Sequence, residues 1–143
     1  MNLLQRMYED FALPAIEKIV AVAGAHRCSN ILVSTYGNTA LLFPAMIRAG
    51  VTVLWISEAA EAPELDYRIL RKRFGPMLGL IGGIPLSLLR SGPRDTLRQQ
   101  LQDVIVPLLR SGRYIPLAGG RVREDIPWEV YRRYRECLAE LLL

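Results

Sequence analysis

With 143 residues, 51% hydrophobic and 22% charged, the chain can bury one core and is too apolar to be disordered. Its net charge of +4 comes from sixteen Arg and two Lys. The arginines recur among acids at helical spacing, as in "RILRKRFG" (68–75) and "YRRYREC" (131–137), so solvated helix faces are expected and a nucleic-acid surface is not.

No apolar run approaches a membrane span, and the N-terminal stretch carries Glu9 and Asp10 without a signal-like core, so a cytoplasmic location is expected. Residues 3–25 read as a helix with Leu4, Met7, Phe11, Ile16, Ile19, Val20 and Val22 as its apolar positions. Pro14 marks a kink or a restart in it, and His26, the single histidine, ends it. The first short apolar run, "NILVST" (30–35), follows. Helix 39–49 closes at Gly50, and "VTVLWIS" (51–57) is the second run. Helix 63–74 closes at Gly75 with Pro76 beyond, and "MLGLIGGI" (77–84) is the third run. Helix 93–110 opens at Pro93, aligns Leu97, Leu101, Val104, Ile105 and Leu108, and closes at Gly112. "RYIPLAG" (113–119) is the fourth run, and helix 127–142 opens at Pro127.

The four runs are nearly continuously apolar, as strands buried on both faces are. A helix followed by four strand–helix units predicts a single α/β domain over 1–143 with a parallel sheet. Two architectures compete: half of an eight-unit barrel and an open doubly wound sheet. No G-x-G-x-x-G joins the first strand to its helix, so the dinucleotide signature is missing. Cys28 and Cys137 stand far apart, with no ligand-spaced histidine nearby, and are read as free thiols.

The stretch 49–101 and the ending "YIPLAGGRVREDIPWEVYRRY" (114–134) resemble the uroporphyrinogen decarboxylase superfamily, which includes cobalamin-dependent methyltransferases. The "FALP" entry helix, Gly37-Asn38, "RAGV", "RFG", "GLIGGI" and "IPWEVYRRY" carry the likeness. It implies a TIM-type barrel of which this chain is the C-terminal (βα)4 half, preceded by a helix. The implied chemistry is tetrapyrrole decarboxylation, a lyase reaction of porphyrin biosynthesis, or cobalamin-linked methyl transfer. The departures lie at strand ends. Where relatives carry His-x-Asp-Gly-Asn or His-x-Cys-Gly-Asn, this chain has Ser34-Thr35-Tyr36-Gly37-Asn38, which supplies no zinc donor. Pro85 replaces an aspartate after Gly82-Gly83-Ile84, and Gly119-Gly120 replace an Asp-His pair before Arg121. No activity is therefore expected from the chain alone, and no metal or cofactor.

The candidate substrate-binding residues are Ser34, Tyr36, Asn38, Glu58, Tyr114 and Arg121. Arg121 suits a carboxylate, unless it pairs with Glu124 or Asp125. Gly82, Gly83, Gly119 and Gly120 are candidate anion-binding residues, since bare backbone N–H groups after late barrel strands can seat phosphate. The alternative reading is a non-catalytic assembly or ligand-binding module. A half-barrel leaves two sheet edges open, so the expected partner is a second copy, pairing first strand with fourth, or a complementary N-terminal half. Leu32, Val53, Leu80 and Ile115 are expected to face inward, half-solvated.

Overall fold

The computed structural model describes residues 3–34, 40–56 and 65–142. The entry helix runs through α1 (Leu3–Met7), a π-helical turn (Tyr8–Ala12) and α2 (Leu13–Ala25). Then come β1 (Ile31–Ser34), α3 (Phe43–Arg48), β2 (Val53–Ile56), α4 (Tyr67–Phe74) and β3 (Gly79–Ile84). Two short helices, α5 (Leu86–Ser91) and α6 (Arg94–Gln100), lead through a second π-helical turn (Leu101–Ile105) into α7 (Val106–Ser111). β4 (Tyr114–Ala118) and α8 (Trp128–Leu142) complete the chain. No described helix is long and apolar enough to cross a membrane.

Both π-helical turns end two residues before a proline, Pro14 and Pro107. A proline inside a helix cannot donate to the carbonyl four residues back, and its ring crowds that oxygen. Widening the preceding turn makes room: Leu13 N–H bonds to Tyr8 O and Val106 N–H to Leu101 O, five residues back in each case. Pro14 is thus neither a stop nor a restart.

The four strands are all parallel, in the order β1-β2-β3-β4. A doubly wound sheet reverses its order part-way; this one does not, and right-handed crossovers then put the helices that join successive strands on one face. The result is a mixed α/β domain with one parallel sheet, consistent with part of a TIM-type fold.

The register separates the faces. Leu32, Leu54 and Leu80 are partners across β1–β3, and they belong to or pack on the core with Ile56, Ile84, Phe43, Leu70, Leu101, Ile105 and Tyr134. Val53, Trp55, Ile115 and Leu117 lie on the opposite face and outside that core. The expectation that Leu32, Val53, Leu80 and Ile115 share one half-solvated face is therefore corrected. Leu80 is 1% exposed beneath the helices, whereas Ile115 is 57% exposed on the opposite side.

The entry helix also departs from expectation. Only Tyr8, Ile16 and Val20 of it pack on the core. Leu4, Met7, Phe11, Ile19 and Val22 stand exposed, Phe11 at 77%. Among the described residues nothing covers that stripe.

Candidate functional site

In parallel sheets of this class, ligands meet the carboxyl ends of the strands. Those ends are Ser34, Ile56, Ile84 and Ala118. Ser34 closes β1, and its side chain lies outside the described residues. Tyr36, Asn38 and Glu58, which follow β1 and β2 in sequence, also lie outside them.

The turn after β4 is fully described. Gly119 N–H donates to Ile84 O at 2.7 Å, and Ile126 N–H to Arg123 O at 3.0 Å. Asp125 receives Arg90 from α5 at 2.6 Å, which pins the turn to the helix layer. Asp125 is thereby paired with Arg90, not with Arg121. Gly119 and Gly120 are buried, and Arg121 and Arg123 are exposed. Among the described residues neither of these arginines has an acidic partner. Arg123 was not among the sequence candidates; its only sequence signal is its place two residues after Arg121.

Gly82 and Gly83 lie within β3, with φ of +122° and +95°. They accommodate two tyrosines. Tyr67, from the start of α4, reaches Ile56 O at 3.0 Å and Ile81 O at 2.7 Å. Tyr114 donates to Gly82 O at 2.6 Å. The rings meet edge to face, 6.2 Å between centroids. A Cβ on Gly82 would collide with the Tyr67 hydroxyl, and one on Gly83 would lie 2.5 Å from the Tyr114 hydroxyl. Burial pushes both phenols well above their ordinary range, so both stay neutral donors. Tyr114 therefore sits in the core, at the start of β4, and the structure does not bring it to the strand ends with Arg121.

On the face away from the core, Trp55 Nε1 is buried without an acceptor among the described residues. Among the described residues, no three His, Cys, Asp or Glu side chains come together to hold a metal. His26 caps the exposed end of α2; Cys28 is exposed and Cys137 buried, both free.

This geometry defines a class: a singly wound parallel α/β unit. The family model for uroporphyrinogen decarboxylase (URO-D) matches residues 2–141, nearly the whole length. The chain belongs to the URO-D family. No curated protein matches it.

Proposed function

We propose that this chain is the C-terminal half of a uroporphyrinogen-decarboxylase-type barrel. It takes part in binding a carboxylate-bearing tetrapyrrole, or in corrinoid-linked methyl transfer, once four further parallel strands complete the ring. One observation carries the reading: a chain matched by the family over residues 2–141 folds as a singly wound parallel sheet whose face away from the helices exposes Ile115 among the described residues. That face is where a closed barrel packs its interior.

On this reading the carboxyl ends of the strands are the ligand side. Arg121 and Arg123 bind ligand carboxylates, since guanidinium–carboxylate pairs are charge-assisted and can be bidentate. Ser34, Tyr36, Asn38 and Glu58 stand at or just beyond the ends of β1 and β2 in sequence and would line the same side. Gly119-Gly120 let the ligand approach the backbone closely. Two free thiols fit a reducing compartment such as the cytoplasm.

The test uses purified protein and uroporphyrinogen. The chain alone is expected to form no coproporphyrinogen above a denatured control. Mixed with the N-terminal half of a full-length uroporphyrinogen decarboxylase, it is expected to bind porphyrin, seen as a shift in the absorbance of the pigment. Turnover by the chain alone overturns the reading; an assembled pair that binds no porphyrin removes the tetrapyrrole arm and leaves methyl transfer.

A further inference from the structure

Each helix hands over to the next strand at one end of the sheet, and that end is basic. Segments 24–30, 48–52, 71–78 and 110–113, which lead into β1, β2, β3 and β4, hold seven Lys or Arg and no Asp or Glu. Asp66, Glu124, Asp125 and Glu129 lie at the other end, between a strand and the following helix or in that helix's first turn.

Contacts between the segments hold them side by side. Asn30, before β1, donates to Gly50 O and accepts from Thr52 N–H. Gly79 N–H, opening β3, donates to Thr52 O. Arg71, in the last turn of α4, donates to Gly112 O and Arg113 O before β4. With neighbouring strands about 4.8 Å apart, the four entries span on the order of 15 Å.

Arg48 pairs with Glu9, and Arg71 is occupied by carbonyls. Arg27, Lys72, Arg73, Arg110 and Arg113 are exposed, and among the described residues none of them has an acidic partner. A cation in the last turn of a helix complements the helix dipole, which is reason enough for Lys72, Arg73 or Arg110 taken singly. It is no reason for Arg27 and Arg113. Both lie beyond a helix end in the left-handed region, with φ of +55° and +51°, and they are the only non-glycine residues there among those described. Glycine or asparagine holds that backbone at less cost, so the backbone does not explain the arginines.

The distribution of these charges points to what they meet. They are spread along the sheet and do not converge on one point, as a nest for a single phosphate does. They offer no ring for a base to stack on: Phe74 packs edge-on against Phe43 beneath Arg73, and Tyr114 is buried. Among them Met77 protrudes, 72% exposed in the turn after Pro76. Dispersed cations around a protruding apolar side chain suit a fluid layer of anionic headgroups, where each charge finds its own anion and the apolar tip reaches the acyl boundary.

We propose that this end of the molecule docks on an anionic lipid bilayer, with Arg27, Lys72, Arg73, Arg110 and Arg113 against the headgroups and Met77 at the interface. The inference goes beyond the half-barrel reading and does not need it. Strands added beside β1 or β4 would extend the sheet sideways and leave this end open. The opposite end, with Arg121 and Arg123, would face away from the membrane.

The test is co-sedimentation of the full chain with vesicles of phosphatidylcholine, alone or with about 30% phosphatidylserine. Binding is expected only to the anionic vesicles and should fall steeply as salt rises from about 0.05 to about 0.5 M. Each basic residue near an anionic surface contributes on the order of fivefold to partition, so Lys72→Glu with Arg110→Glu should weaken it at least about tenfold. Both sites are exposed, and the double variant should keep the circular dichroism of the parent. Met77→Asp, in an exposed turn, is a second variant and should weaken binding by about threefold or more. Arg121→Glu with Arg123→Glu makes the same change in net charge at the opposite end and should weaken binding by less than about twofold. Absence of binding to the anionic vesicles at low salt overturns the inference. So does equal weakening by the two double variants, which would make the attraction one of net charge alone. Tighter binding to an RNA oligonucleotide than to the vesicles at the same salt also overturns it, and would give this end to nucleic acid.

Discussion

Gly82 and Gly83 hold backbone conformations that L side chains rarely adopt, and each leaves room for one tyrosine hydroxyl. At Gly82→Ala, backbone strain and the collision with Tyr67 act together, and a loss of about 2–4 kcal/mol is expected in urea unfolding. Tyr67→Phe alone should cost about 1–2 kcal/mol, because it strands acceptors on β2 and β3. The two losses should fall short of additivity when combined, since the phenylalanine lacks the colliding oxygen. The same tyrosines make stability sensitive to alkali. Their folded pKa values are raised by burial, so their contribution is complete below the unfolded phenol value near 10 and is lost as pH rises above it. Between about pH 10 and 11, each should steepen the decline by up to about 1.4 kcal/mol per pH unit. Tyr114→Phe should show a correspondingly shallower decline; an unchanged slope would contradict the buried, neutral phenol. Which side chains approach the glycines is not legible in "GLIGGI". The glycine pair was read there as an anion-binding candidate, because the two tyrosines that approach it come from other elements.

At the scale of elements, the α4 helix is tied to two strands by a single side chain. Arg71 donates to Gly75 O and Leu78 O at 3.0 and 2.8 Å, and to Gly112 O and Arg113 O at 2.9 and 3.3 Å. Those carbonyls belong to the turns that enter β3 and β4. A guanidinium fork can hold all four; an ammonium cannot span them. Arg71→Lys is expected to cost about 1–3 kcal/mol in chemical denaturation, although it keeps the charge. Order and type of element were readable from sequence for the opposite reason: apolar runs, Pro and Gly punctuation and helical stripes are local signals. β2, β3 and β4 fall inside their expected runs, as does α8 in 127–142. The short α5 went unassigned because "PLSLLRSG" is too brief to show a period. The faces of the strands were not readable. A run such as "VTVLWIS" is apolar at every position, so alternation cannot say which residues turn toward the helices.

At the scale of the whole molecule, the large core lies between the helices and one face of the sheet, and on the other face Ile115 at the β4 side is exposed among the described residues. Buried area should then stabilise the isolated chain mainly on the helix side. Leu54 and Ile115 test this, since both are aliphatic and both sit in strands. Leu54 is fully buried between sheet and helices, and Leu54→Ala should cost about 2–5 kcal/mol by transfer and cavity terms. Ile115 is on the other face, and Ile115→Ala should change the stability of the chain alone by less than about 1 kcal/mol. In the presence of the completing strands the order should narrow, because Ile115 would then enter a closed interior. The measurement is urea unfolding of both variants with and without the complementary half. An Ile115→Ala penalty as large as that of Leu54→Ala in the chain alone would mean that the second face is already covered, and the half-barrel description would fail with it.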